Sequence, residues 1–481
     1  MRKFLLILIS GFTSIAIFAQ SSIFEQAKKH YSQPNDSLKR QAVEFIEKNI
    51  DEHYSMIVGY QNSAGKKVNF NELTYPNFKE SQQALKKMNL TAKTDRKNDV
   101  NQLKYNDLIE IIERGFSAWS KSWNKNLSFN DFCNYLLPYK IGNEPFENWY
   151  STFEQKFSHL QKGKNPREVV DISNTDLQKW FFSSWSFEKR EVAYTLSPSQ
   201  LLFREQGHCL DLCNLSAYVM RLMGVAVCVD FTPAWATSAY DHAWCAYIDE
   251  NNKFKPFEGV KGKSADFVIF REPGKVFRVA YAKQPEALAS ILPPHEIPTS
   301  HLKQKNIIDV TDSYWRTADV NCTITKVSKN KISYISVFNA SKWKIVGWGK
   351  VTDNKAFFDK LPVGVVYLPQ NFENGKTSIA GDPFLIRANK SITYLKPDYD
   401  KKINVTVTEA PKYLYYRTGK KYAFYYWDNA WKHAGTKTAT ESKVLTFENV
   451  PSNTIYILIP EYSEKKERIF TINQKGEIER W

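Results

Sequence analysis

Apolar residues in the first third of the chain recur at helical spacing, while in the last third they alternate with polar ones. Residues 37–50 place their apolar side chains three and four apart, the stripe of an amphipathic helix. Residues 106–119 do the same. Residues 128–138 open on the capping residue Ser128 and stop at Pro138, which predicts another helix. Residues 21–160 therefore read as helical, interrupted by polar stretches at 62–67 and 93–101. From 160 to 300 the pattern is mixed. A helix is expected from Cys209 to Met223, stopped by Gly224. Val225 to Phe231 then reads as a buried strand. His242 opens a further strand with Trp244, Ala246 and Ile248 on its face, Asp249–Lys253 is a turn cluster, and 253–258 returns. Pro293-Pro294 and the polar 300–306 stretch mark a boundary. Residues 307–481 read as strand after strand, with turns at Asn, Asp, Gly and Pro.

The strand-rich region repeats itself. Asn321-Cys-Thr-Ile-Thr325 resembles Asn404-Val-Thr-Val-Thr408, and the run from Tyr334 to Trp343 resembles that from Tyr422 to Trp431. Phe358-Asp-Lys-Leu-Pro362 matches Phe447-Glu-Asn-Val-Pro451, and Val365-Val-Tyr-Leu-Pro369 matches Ile455-Tyr-Ile-Leu-Ile-Pro460. Length and alternation predict two similar sandwich-like β modules in tandem. The Trp of each repeat has two readings, a platform for a sugar ring or a core ring.

Composition narrows the class. Apolar residues at 42% and charged residues at 24% exclude a largely disordered chain, a collagen and a multi-span membrane protein. Aromatics reach 15%, which suits β-rich modules. The net charge is +15, from 66 Lys and Arg against 51 Asp and Glu, so anionic partners are favoured. The lysines are spread along the chain, and nucleic acid is not the expected partner. Arg2-Lys3, the apolar run from Phe4 to Phe18 and the small residue Ala19 follow the order of a secretory signal peptide. The expected location is therefore outside the cytoplasm: periplasm, outer surface or medium. No later stretch is apolar for long enough to span a bilayer. Six cysteines in an exported chain of this length are too few for a disulfide scaffold, and four of them fall between Cys209 and Cys245.

Candidate chemistry gathers in that interval. Cys209 follows Gly207-His208 and opens the expected helix, where unpaired N–H groups and the helix dipole favour a thiolate. With the turn centred near Glu250, His242 would face Glu258 directly across a hairpin. These are a nucleophile, a base and a carboxylate to orient it, the types needed to deprotonate a thiol and return the proton to a leaving amine. Asp249 and Asp230 are fallback orienters.

Together these residues resemble the transglutaminase-like superfamily. The likeness rests on Gly207-His-Cys209, a Gly fifteen residues later followed by a strand, His242-Ala-Trp244, and an acid after an aromatic, Phe257-Glu258. It covers residues 195–260 most strongly, and 128–149 looks like the N-terminal region of exported bacterial members. Where the family usually carries Asp, this chain carries Glu258.

The resemblance implies a multidomain fold with a papain-like α+β core. The expected boundaries are a signal peptide at 1–19, a helical N-terminal region at 20–160, a transglutaminase-like catalytic domain at 161–304, and β-sandwich repeats at 305–390 and 391–481. It implies thiol acyl transfer at an amide carbonyl, with Cys209, His242 and Glu258 catalytic and Gly207, Trp235 and Trp244 lining the substrate. Hydrolysis is expected over cross-linking, on a protein or peptide amide or a cell-wall or glycan component. No cofactor or metal is expected. The backbone N–H of Cys209 would be one donor to the oxyanion, with Gln206, Trp180 or Trp185 as candidates for a second. Two other readings compete: a zinc site built on His208, Cys209, Asp211 and Cys213, and an inactive surface protein that binds glycan or protein through its aromatic β modules.

Overall fold

The stripe read at 37–50 folds as the helix Ser37–Asn49, which buries Ala42, Val43 and Ile46. These elements belong to a computed structural model that describes residues 23–184, 195–410, 414–462 and 468–481. The expected signal peptide at 1–19 and Trp185 lie outside the described residues. The chain divides into two units. The first runs to Asp230 and adds Ala243–Phe267 and Arg278–Gln284; the second takes Phe231–His242, Val268–Phe277 and Pro285–Trp481.

In the first unit, the expectation of a helical N-terminal region needs correction. Helices Phe78–Lys87, Tyr105–Trp119 and Tyr150–Phe157 are present. So is an antiparallel sheet of order β2-β1-β3, made of β1 (Tyr54–Gln61), β2 (Lys67–Val68) and β3 (Thr91–Asn98). The two polar stretches read as breaks are the β1–β2 turn and most of β3. Strand β3 carries Lys, Asp, Arg and Lys on largely exposed positions, so no apolar alternation marks it. It is held by pairing along all of β1, from Tyr54 opposite Asn98 to Gln61 opposite Thr91. At 128–138 the Ser128 hydroxyl accepts from Asp131 N at 3.0 Å as expected, but the helix widens into a π turn over Phe132–Leu136.

The centre of this unit is the helix Cys209–Leu222. Every residue from Asp211 to Arg221 is buried, so it has no solvent face. Helices Tyr150–Phe157, Pro166–Leu177 and Pro198–Arg204 pack around it. Its two large polar side chains are satisfied internally: Tyr218 donates to Glu144 at 2.6 Å, and Arg221 donates to the carbonyls of Tyr135, Pro138, Lys140 and Val227. Two short strands, β4 (Phe182–Ser183) and β5 (Gln206–Gly207), pair in parallel just before it. Strands β6 (Val227–Thr232), β7 (His242–Ile248), β8 (Phe254–Phe257) and β9 (Phe277–Val279) follow, adjacent in the order β9-β6-β7-β8.

The second unit begins its strand-rich part with β10 (Ile307–Asp309). The first repeat holds β11 (Thr317–Thr323), β12 (Ile332–Asn339), β13 (Lys342–Thr352), β14 (Lys355–Pro362), β15 (Val365–Glu373), β16 (Lys376–Ile379), β17 (Phe384–Ile386) and β18 (Ile392–Tyr394). The second holds β19 (Asp398–Thr408), β20 (Lys421–Trp427), β21 (Trp431–Thr438), β22 (Val444–Ser452), β23 (Tyr456–Pro460), β24 (Phe470–Ile472) and β25 (Ile478–Arg480).

Topology follows the sequence repeat. The first repeat runs β11-β14-β13-β12-β15-β17-β18; the second pairs β19-β22 and, separately, β21-β20-β23-β24-β25. They differ at one join. Strand β13 is 11 residues long and reaches β14, pairing Lys350 with Phe357, whereas the equivalent β21 has 8 and its sheet stops there. Each repeat also has a Tyr that donates to the carbonyl of the Pro five residues before it, Tyr367 to Pro362 and Tyr456 to Pro451.

The Trp residues singled out in the two repeats meet. Trp343 packs on Trp427 with ring centroids 5.5 Å apart, Trp427 on Trp431 at 5.1 Å, and Trp431 on Phe338 at 5.8 Å. The surrounding cluster draws Val366, Leu368 and Leu385 from one repeat and Ile455, Ile457 and Ile469 from the other. The modules therefore share a core rather than standing apart.

Candidate functional site

Cys209 is the first residue of the central helix and is partly exposed. The chain reaches it through a fixed approach. Helix Pro198–Arg204 starts from a Ser197–Gln200 capping box and ends at Glu205 in the left-handed region, φ 52°. Ser184 N donates to the Gly207 carbonyl at 2.9 Å, tying β5 down. His208 N then donates to the Asp211 carboxylate at 2.9 Å, an N-terminal cap that ties the residue before Cys209 to the first turn. This explains Gly207. A Cβ there would collide with the Asp211 side chain and lie 2.8 Å from its Oδ2. Gly207 is needed for close packing, and Asp211 is committed to the cap. Among the described residues no cluster of three His, Cys, Asp or Glu gathers as metal ligands.

The far end of the helix matches the reading. Gly224, at φ +85°, donates to the Arg221 carbonyl, and Val225 N donates to Met220 O at 2.9 Å, the paired bonds of a Schellman stop. Trp123 Nε1 and Asn124 Nδ2 both donate to the Gly224 carbonyl.

Strand β7 lies against this helix, with Cys245 Sγ donating to the Cys213 carbonyl at 3.5 Å. Burial, the Cys245 thiol and the Glu258 charge together hold the Cys213 thiol well above its ordinary value. Burial, reinforced by Asp230, does the same for Cys228. These thiols stay protonated and behave as small core residues. Trp244 is fully buried and packs near Phe267, so it supports the strand rather than lining a substrate.

The hairpin differs from the expectation by one residue. Cys245 pairs with Phe257 and Ile248 with Phe254, and Asp249 closes the loop by accepting Asn251 N and Lys253 N on Oδ1. The turn is centred on Asn251, with Asn252 left-handed at φ 58°, not on Glu250. Strand pairing stops at Phe257, and continuing the register puts Trp244, not His242, opposite Glu258. The expected turn centre at Glu250 is thereby corrected to Asn251. Glu258 instead starts a close crossing over the central helix. A Cβ on Gly259 would lie 2.7 Å from Leu212 O and 2.8 Å from Cys213 N. Asn174 Nδ2 donates to Glu258 O at 2.9 Å, and Val260 N donates to Ser216 Oγ at 2.9 Å. The backbone from Glu258 to Val260 is thus held against the helix, with Gly259 beside Leu212 and Cys213. The fallback carboxylates are engaged elsewhere: Asp249 in the turn, and Asp230 in a buried pair with Arg278 at 2.7 and 2.9 Å. Of the oxyanion candidates, Gln206 lies in β5, and Trp180 stacks near Phe157 beneath Lys156.

In the second unit, the ring of Trp235 lies 6.0 Å from that of His242, tilted by 30°. The loop between them is held by a residue that sequence reasoning missed. Asn339, at the end of β12, lies with its Nδ2 within 2.9 Å of the carbonyls of Trp235, Ser238 and Tyr240, and its Oδ1 accepts from Tyr240 N. Its signal was a break in the repeat: counting back from Trp343 and Trp431 aligns Asn339 with Trp427, an amide against an indole.

No family model matches the chain, and no curated protein matches it. A solved transglutaminase from red sea bream is similar at a TM-score of 0.22 and 8% identity, over 89% of this chain and 76% of that one. So faint a likeness bears no weight for fold or function. Among the described residues no helix is long and apolar enough to cross a membrane.

Proposed function

We propose that the chain is an exported, transglutaminase-like cysteine enzyme acting on amide bonds by thiol acyl transfer. Cys209 is the nucleophile, His242 the general base and then acid, and Glu258 the orienting carboxylate. The Cys209 sulfur attacks the amide carbonyl after its proton passes to His242. The tetrahedral intermediate collapses as His242 returns that proton to the departing amine, leaving a thioester on Cys209. Water activated by the same imidazole attacks the thioester, releasing the acid and restoring the thiol. Hydrolysis is preferred here over transfer to a second amine.

One observation carries the reading most strongly. The segment bearing Glu258 presses its next residue, Gly259, onto the helix that begins at Cys209. A partly exposed thiol at a helix start, and an acidic residue on a backbone segment held against that helix, support this reading. Trp235, packed near the His242 ring, is the residue best suited to wall an acyl group.

The test is covalent trapping. After incubation with a peptide amide or aryl ester library, intact mass should show an acyl adduct on Cys209 that is lost in Cys209→Ala and fails to form or to turn over in His242→Ala. Wild-type protein that forms no adduct and turns over no member of the library would contradict the proposal.

A further inference from the structure

The second unit contains an open groove of about 560 Å³ beside Trp343. Three polar atoms on its lining residues are buried without a partner: Thr299 Oγ1, His301 Nε2 and Trp343 Nε1. Such atoms are few in a folded chain, and three gathered on one groove imply a missing partner. Their chemistry is mixed. The indole can only donate. His301 gives its other ring N–H to the Val346 carbonyl, so Nε2 is left as an acceptor. The Thr299 hydroxyl can do either. An occupant must therefore donate and accept at close quarters, which hydroxyl groups do.

The rest of the lining fits the same occupant. Trp343 and Phe372 are apolar rings suited to the C–H face of a sugar. Gln370 accepts from the Ser336 hydroxyl through Oε1, which assigns its amide nitrogen as a donor. Among the described residues the lining holds no carboxylate, and Lys344 is its one lysine or arginine. We propose that this groove is a saccharide-binding site, separate from the Cys209 chemistry, in which Lys344 favours sugars bearing a carboxylate. The three unpartnered atoms are shut off from bulk water. A bound hydroxyl must displace the Pro298–His301 segment slightly to reach them, so binding should change the Trp343 fluorescence.

The test titrates full-length protein with tetragalacturonic acid, chitotetraose and cellotetraose, read by calorimetry and tryptophan fluorescence. Saturable binding of at least one oligomer is expected. Thr299→Val, which keeps the side-chain shape, should weaken it about fivefold to tenfold, the usual effect of one lost hydrogen bond, and Trp343→Phe, which also removes ring area, at least as much. Lys344→Met should weaken the acidic oligomer and spare the neutral ones, and Cys209→Ala should bind as wild type. Thermal unfolding of each variant separates lost contacts from lost folding. No saturation by about 10 mM, a barely measurable affinity, would overturn the proposal. So would binding that survives both Thr299→Val and Trp343→Phe in folded protein, or binding abolished in Cys209→Ala.

Discussion

Gly207 and Asp211 compete for one space, and the chain gives it to the carboxylate. Gly207→Ala should force the Asp211 cap open and cost about 2 kcal/mol in urea unfolding, against about 1 kcal/mol for Asp211→Ala, which removes the cap alone. Two buried histidines make stability depend on pH. Burial lowers His53 from 6.5 to about 4, with Lys140 adding to it, and burial lowers His301 to about 4. Both are neutral when folded, whereas the unfolded chain binds a proton on each below about 6.5. Stability should therefore be full above that pH and fall as the pH drops toward about 4, by up to about 3 kcal/mol for each histidine. Urea midpoints measured from pH 7 to 4 check this; a flat profile would contradict the burial assigned to these rings. Cysteine roles were half legible at this scale. The helix-start position of Cys209 was plain in the sequence. The inertness of Cys213 and Cys228 depends on burial, which no single-residue pattern records.

At the scale of elements, the central helix was readable from Gly207-His208 before it and Gly224 after it, while the cap of His208 N on Asp211 was not foreseen. The β7–β8 hairpin was readable in kind but not in register. Asp249-Glu-Asn-Asn-Lys253 offers several turn centres, and the left-handed Asn252 decides among them. Strand β3 was not legible, since its charged side chains face water and its pairing to β1 is a long-range fact. The crossing of Gly259 over the helix gives a direct test at this scale. Gly259→Ala cannot fit without moving Glu258 away from the helix. It should destabilise the protein by about 2 kcal/mol. It should also lower the alkylation rate of Cys209 in protein that remains folded, measured by mass spectrometry. An unchanged rate in folded Gly259→Ala would mean that the placement of Glu258 does not matter to Cys209.

At the scale of the molecule, the repeat was legible and its packing was not. Matching Trp residues announced two related modules, but that those rings pack on one another across the repeats depends on how the modules dock. The Trp343–Trp427–Trp431 contacts and the shared cluster around Val366 and Ile457 make the second repeat part of the first one's core. A chain ending at residue 395 should expose Phe338, Val366, Leu368 and Leu385, and should bind a hydrophobic dye or aggregate where the full chain does not. Equal solubility and no dye binding would show the modules to be independent. The account stands most directly on the pairing of Cys209 with His242. The deciding measurement is alkylation kinetics for each cysteine, read by mass spectrometry from about pH 5 to 9 in wild type and His242→Ala. The account predicts that Cys209 reacts far faster than Cys213, Cys228 and Cys245, and that the substitution slows Cys209 alone. A Cys209 no faster than the buried thiols, and indifferent to His242, would contradict it.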